Sequence, residues 1–170
     1  MKIVIATALA LLLASPALAT PQPVRPFDEG RMAGRWYELG RTPTSMNRGC
    51  QAGYVEWSAA GPERFRFAAV CHKGAVDGPE KRMSGQVQVI DRATHAKVKM
   101  TVLGGLVSRE YWLIDHADDY GWLIMGTADG RYVAVMTARR QPTAAVREQA
   151  LRRLAALGYD KSRMEFPPQA

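Results

Sequence analysis

The chain is 170 residues long, 47% hydrophobic and 23% charged, with a formal net charge of +7. That length suits one domain with a core of its own. The cations (Arg31, Arg35, Arg41, Arg48, Arg64, Arg66, Lys97, Lys99, Arg147, Arg152 and Arg153 among them) are scattered rather than gathered in an aromatic-lined groove, which argues against nucleic-acid binding and leaves peripheral contact with an anionic membrane as a milder use of the charge.

The N-terminus reads as a leader. Met1-Lys2 is followed by an apolar run from Ile3 to about Ala14, and Ala17-Leu18-Ala19 is a small-x-small cleavage signal. The apolar run is too short to span a bilayer, so residues 1–19 are expected to be a secretory signal peptide, cut after Ala19. No cysteine stands at the cut to receive a lipid, which predicts a soluble product in the periplasm or outside the cell. Residues 20–29 carry Pro21, Pro23 and Pro26 and read as an extended lead-in rather than a packed element.

The body, residues 30–170, breaks into short β-like runs divided by Gly, Pro, Asp and Asn. Eight strands are expected, over about 35–43, 50–58, 63–72, 82–91, 95–103, 109–115, 121–126 and 131–139. Alternation is cleanest where Val98, Met100 and Val102 interleave with Lys97, Lys99 and Thr101. The expected fold class is all-β: an eight-stranded antiparallel up-and-down barrel, a form that leaves no exposed edge. One helix is expected over 144–157, started by Thr143 and stopped by Gly158, its stripe of Val146, Ala150, Leu154 and Leu157 packed on the outside of the barrel.

Cys50 and Cys71 fall in the exported part, where a disulfide is the default. A hairpin centred between Ala60 and Gly61 would set Cys50 opposite Cys71, Tyr54 opposite Phe67 and Ala52 opposite Ala69. Directly opposed residues sit about 4.5–5.5 Å apart between Cα atoms, within disulfide range.

Taking the apolar face of each strand as inward nominates Tyr54, Phe65, Phe67, Val87, Val89, Val98, Met100, Tyr111, Leu113, Ile124 and Met136 as lining a lumen. Glu38 shares the parity of Trp36 and would join them. A buried carboxylate needs a partner, and Arg41 or Arg109 would either supply it or receive an anionic ligand group. His72, His95 and His116 show no metal spacing, and no Gly-x-Ser-x-Gly or phosphate loop is present, so neither a metal nor a cofactor nor a catalytic residue is expected.

Gly34-Arg35-Trp36-Tyr37-Glu38 resembles the opening signature of the lipocalins. Cys50 to Ala52 with Tyr54 is similar to the second strand of the bacterial outer-membrane and apolipoprotein-D-like branch. Tyr111–Asp115 with Asp118-Asp119-Tyr120 resembles the second signature, and Arg140-Gln141-Pro142 the third. The resemblance implies a barrel open at one end, holding a small lipophilic molecule such as a fatty acid or lysophospholipid, as a monomer or homodimer in the cell envelope. It also implies that Trp36 plugs the closed end with Arg140, or Arg139, stacked on it. The alternative it leaves open is a lipid isomerase or de-epoxidase on the same scaffold.

Overall fold

The structure is a computed structural model that describes residues 20–169; the expected leader, residues 1–19, lies outside the described residues. Eight antiparallel strands follow in chain order: β1 (Gly34–Arg41), β2 (Cys50–Gly61), β3 (Arg64–Lys73), β4 (Glu80–Val89), β5 (Lys97–Val102), β6 (Val107–His116), β7 (Trp122–Thr127) and β8 (Val133–Thr137). Each pairs with its sequence neighbour, and β8 returns to β1 through Tyr37↔Thr137 and Glu38↔Met136, closing the ring. Gly34 starts β1 at a φ of 110°, a conformation that a side chain would resist.

Alternation along the strands sorts residues to two surfaces. Inward go Trp36, Trp57, Phe65, Phe67, Val87, Val98, Leu113, Met125 and Met136, which form one apolar cluster. The outer surface of β3 to β5 carries Arg64, Arg66, Gln86, Gln88 and Lys99, all exposed. A lipid-facing barrel would need apolar groups there.

The helix α1 (Ala144–Ala156) covers part of the outside. Thr143 Oγ1 accepts from Val146 N at 3.4 Å, and Gly158, at a φ of 88°, ends the helical path. Ala150 and Leu154 are buried in a second apolar cluster with Leu39, Ile114, Ile124, Val133 and Val135. β7 is therefore buried on both faces. Asp115, buried on β6, pairs with Arg153 of the helix and with Arg25 at 3.4 Å.

Arg25 belongs to the lead-in, which bends at Val24 and Arg25, enters a 3-10 turn at Glu29–Arg31, and is packed on the barrel where an unpacked segment was expected. Thr20 is buried and donates to Thr127 O at 2.7 Å, Val24 N donates to Ile114 O at 3.0 Å, and Phe27 joins the inner cluster.

The β2–β3 hairpin departs from the expected register. It turns at Pro62-Glu63, with Gly61 paired to Arg64. Gly61 (φ 129°) and Glu63 (φ 55°) take the conformations that permit this tighter turn. Tyr54 consequently faces Val70 rather than Phe67, Ala69 faces Val55 rather than Ala52, and Cys50 faces Lys73 rather than Cys71. The disulfide forms nonetheless, on the diagonal: a bulge between Gln51 and Tyr54 brings Cys50 and Cys71 to a Cα separation of 5.3 Å.

Candidate ligand cavity

The two ends of the barrel differ because different loops serve them. At the start of β1, Phe27, Met32, Trp36, Val89, Ala96 and Leu123 are all buried in the inner cluster. The Trp36 indole N–H donates to Met32 O at 3.1 Å. Beneath lies an aromatic base: Tyr120 stacks on His116 with centroids 4.3 Å apart, meets Phe27 edge-on at 5.3 Å, and accepts from Asp28 N at 2.9 Å. Arg31 reaches over the Tyr120 ring at 5.0 Å and donates to Asp119 O at 2.8 Å, while Asp119 Oδ1 accepts from Gly121 N at 2.8 Å. This end is sealed.

The Arg140 guanidinium lies 5.6 Å from the centroid of Tyr37, not over Trp36. Tyr37 is one residue on and faces the opposite side of β1, so the expected stack on the indole is corrected to a stack on the outer surface.

At the other end the barrel opens into a cavity of about 340 Å³. Its walls are mainly apolar: Val55, Trp57, Phe67, Ala69, Met83, Met100, Met125, Ala134 and Met136, with Tyr111 and Tyr132. The β1–β2 connection (Thr44, Ser45, Met46, Asn47) overhangs it, and the Cys50–Cys71 bridge sits in its wall. Lys81 and Arg109, both exposed, stand on inward positions near the rim, and Lys81 Nζ donates to Met46 O at 2.8 Å.

One polar patch interrupts the wall. The Glu38 carboxylate lines the cavity, pairs with Arg41 and accepts from the Tyr132 hydroxyl at 3.4 Å. Burial pushes the Glu38 carboxyl above the usual carboxylate range, against the pull of Arg41. Burial, helped by the nearby carboxylate, holds the Tyr132 phenol well above its ordinary value, and burial raises Tyr111 as well. A Cβ on Gly53 would collide with Glu38 Oε2, so the glycine makes room for this carboxylate. Arg41 is 1% exposed and its Nη2 donates to Cys50 O at 2.8 Å and Asn47 O at 3.2 Å, with Glu165 Oε2 at 3.4 Å. Those bonds commit Arg41 to the wall, and Arg109 is the arginine left facing the mouth.

Of the nominated lining residues, Glu38, Phe67, Met100, Tyr111 and Met136 line the cavity. Phe65, Val87, Val89, Val98 and Leu113 lie in the inner cluster toward the sealed end and pack against one another. Tyr54 borders the cavity, but it pairs with Tyr37 and its ring lies 4.7 Å under the Arg35 guanidinium, which places it on the outer face. Ile124 is a clear correction. It points outward under α1, and its neighbours Leu123 and Met125 point in. Both faces of β7 are apolar, so alternation carried no inward signal there. Trp57, Met83 and Tyr132 were missed, although Trp57 follows from Trp36 once the β1–β2 register is known. Among the described residues, no group of three or more His, Cys, Asp or Glu side chains is placed to hold a metal ion.

Residues 27–169 match the family profile described as a lipocalin-like domain. The fold is similar to that of insecticyanin from the tobacco hornworm Manduca sexta (TM-score 0.69, 17% identity, 88% of this chain and 85% of that one). It is also similar to lobster apocrustacyanin A1 (TM-score 0.64, 12% identity, 91% and 93% covered). A third likeness is to the siderocalin Ex-FABP, described as functioning through dual ligand specificities (TM-score 0.59, 11% identity, 82% and 95% covered). No curated protein sequence matches the chain.

Proposed function

The chain belongs to the lipocalin-like family, and from that premise we propose that it binds and carries a small lipophilic molecule of the fatty-acid or lysophospholipid class, in the periplasm or outside the cell. The observation that carries the reading is the one-ended cavity, apolar in its depth and cationic at its rim. Its volume lies within the range of about 300–1,000 Å³ typical of ligand pockets. Burying an alkyl chain supplies about 0.8 kcal/mol per CH₂. The ionised head of such a ligand faces Lys81 and Arg109, because Arg41 is already committed to Glu38 and to backbone carbonyls of the wall.

The disulfide favours an oxidising compartment. Among the described residues no helix is long and apolar enough to cross a membrane. Both cysteines are bonded to each other, so neither offers a thiolate for covalent lipid chemistry.

Two measurements test the proposal. Native mass spectrometry with lipid extraction, on protein prepared from its own envelope, is expected to recover an acyl lipid. Displacement of a fluorescent fatty acid is expected to weaken about tenfold or more in Ala69→Phe, which fills the cavity with a ring. Empty protein in repeated preparations, together with unchanged displacement in Ala69→Phe, would overturn it.

A further inference from the structure

Seven large hydrophobic side chains are exposed among the described residues, and four of them, Met46, Leu103, Leu106 and Val107, stand at the open end. Met46 (59% exposed) is on the β1–β2 connection. Leu103 (69%), Leu106 (86%) and Val107 (51%) form the tip that joins β5 to β6. Nothing in the fold calls for leucine at this tip. Leu103 takes a left-handed φ of 53°, where glycine or asparagine would be at ease, and it is followed by Gly104 and Gly105, also at positive φ. The backbone thus accepts strain to hold an apolar side chain in water.

Around these knuckles cations outnumber acids. Arg48, Lys73, Lys81, Arg82, Arg109 and Arg131 are exposed at the same end. The exposed acids there are Asp77, Glu80, which pairs with Arg82 at 3.6 Å, Asp129, which pairs with Arg131 at 4.0 Å, and Glu165, which is engaged with the buried Arg41; Arg48, Lys73, Lys81 and Arg109 are the cations outside those ion pairs. Apolar tips set within an excess of cations complement a bilayer whose headgroups are anionic and whose interior is apolar.

We propose that the open rim docks on an anionic phospholipid bilayer, inserting Leu103, Leu106 and Val107 while the surrounding cations engage headgroups, so that the cavity mouth faces the membrane. This goes beyond carriage of a ligand and stands without it, since docking uses the outside of the rim.

The test is flotation of delipidated full chain with vesicles of phosphatidylcholine, with and without phosphatidylglycerol. Binding to the anionic vesicles is expected, weakening as salt is raised. Leu103→Ser with Leu106→Ser is expected to lower it about tenfold or more. Ile90→Ser, which changes an exposed apolar residue at the sealed end, is expected to leave it unchanged. Leu103→Gly relieves the backbone while removing the side chain, so reduced binding with an undiminished unfolding transition separates docking from misfolding. Equal binding by the Leu103/Leu106 variant and the parent would overturn the proposal. So would loss of binding through Arg66→Gln on the side wall. A failure to bind vesicles, accompanied by a concentration-dependent dimer that Leu106→Ser abolishes, would assign the rim to a second copy of the chain instead. Because the chain is delipidated, flotation supports docking whether or not an acyl lipid is recovered from envelope protein, so a failure of the carrier reading leaves docking intact.

Discussion

Arg41 and Glu38 form an ion pair within the barrel wall, three residues apart on β1, with Arg41 1% exposed. They reach each other because the β1–β8 register shifts between Glu38 and Gly40. Removing Arg41 leaves a buried carboxyl without its cation and two backbone carbonyls, of Asn47 and Cys50, without their donor. Arg41→Ala is expected to cost about 3–5 kcal/mol in chemical denaturation, and the double change Arg41→Met with Glu38→Leu far less than the single one. Equal losses from both would show that the pair is not what makes the burial tolerable.

The Cys50–Cys71 bridge joins strands already paired, at the mouth of the cavity. Cys50→Ser with Cys71→Ser is expected to lower stability by about 2–4 kcal/mol. Thiol titration of the native parent should detect no reactive thiol.

Ile124 and Met125 are adjacent yet lie on opposite sides of the wall. Ile124→Ala is expected to destabilise by about 2–5 kcal/mol through a void under α1, with fatty-acid affinity unchanged. Met125→Ala should alter that affinity. Identical effects on affinity would place Ile124 at the ligand after all.

His95 and Glu29 pair at the sealed end, and the hydrogen bond to Glu29 raises the His95 pKa above its ordinary 6.5. A raised folded value means that the folded state holds the proton more tightly. The stability this pair contributes is therefore fully present below about 6.5 and is lost as pH rises through the folded value. Proton NMR should place the His95 midpoint above 6.5, and Glu29→Gln should bring it down. A midpoint at or below the ordinary value in the parent would dispose of the pairing.

Much of this architecture was legible as sequence because its physics is local. Strands such as β5, with Val98 and Met100 facing in and Lys99 facing out, wear their burial as alternation. Thr143 and Gly158 mark the helix by capping chemistry that any helix needs. The signature residues were readable as a set, but the partner of Arg140 was not, since one residue of offset moves the stack from Trp36 to Tyr37 on the other face. The hairpin register failed for a related reason. Ala60-Gly61 looked like the turn, but Pro62-Glu63 makes the tighter one, and every pairing behind it moves. The disulfide was expected all the same, because compartment and cysteine count favour it whatever the register. Ile124 was misplaced because a strand covered on both sides has no polar face to betray its orientation.

Closure of the ring joins Thr137 to the carbonyl of Tyr37, residues 100 positions apart. No smaller piece of the chain has this closed form: until β8 is made, β1 and β7 are both edges. Arg41 is bonded still later, by Glu165 beyond the helix. Folding must therefore wait for nearly the whole polypeptide, and contacts of such separation are slow to form. During that interval the future cavity is a strip of Trp, Phe and Met side chains in water with two strand edges beside it, the form in which a chain is most prone to associate with its neighbours. The architecture that keeps a lipophile from water once complete leaves its own lining unprotected until the last strand arrives, so a holdase that covers the newly made chain would raise its yield by acting on the unclosed form alone.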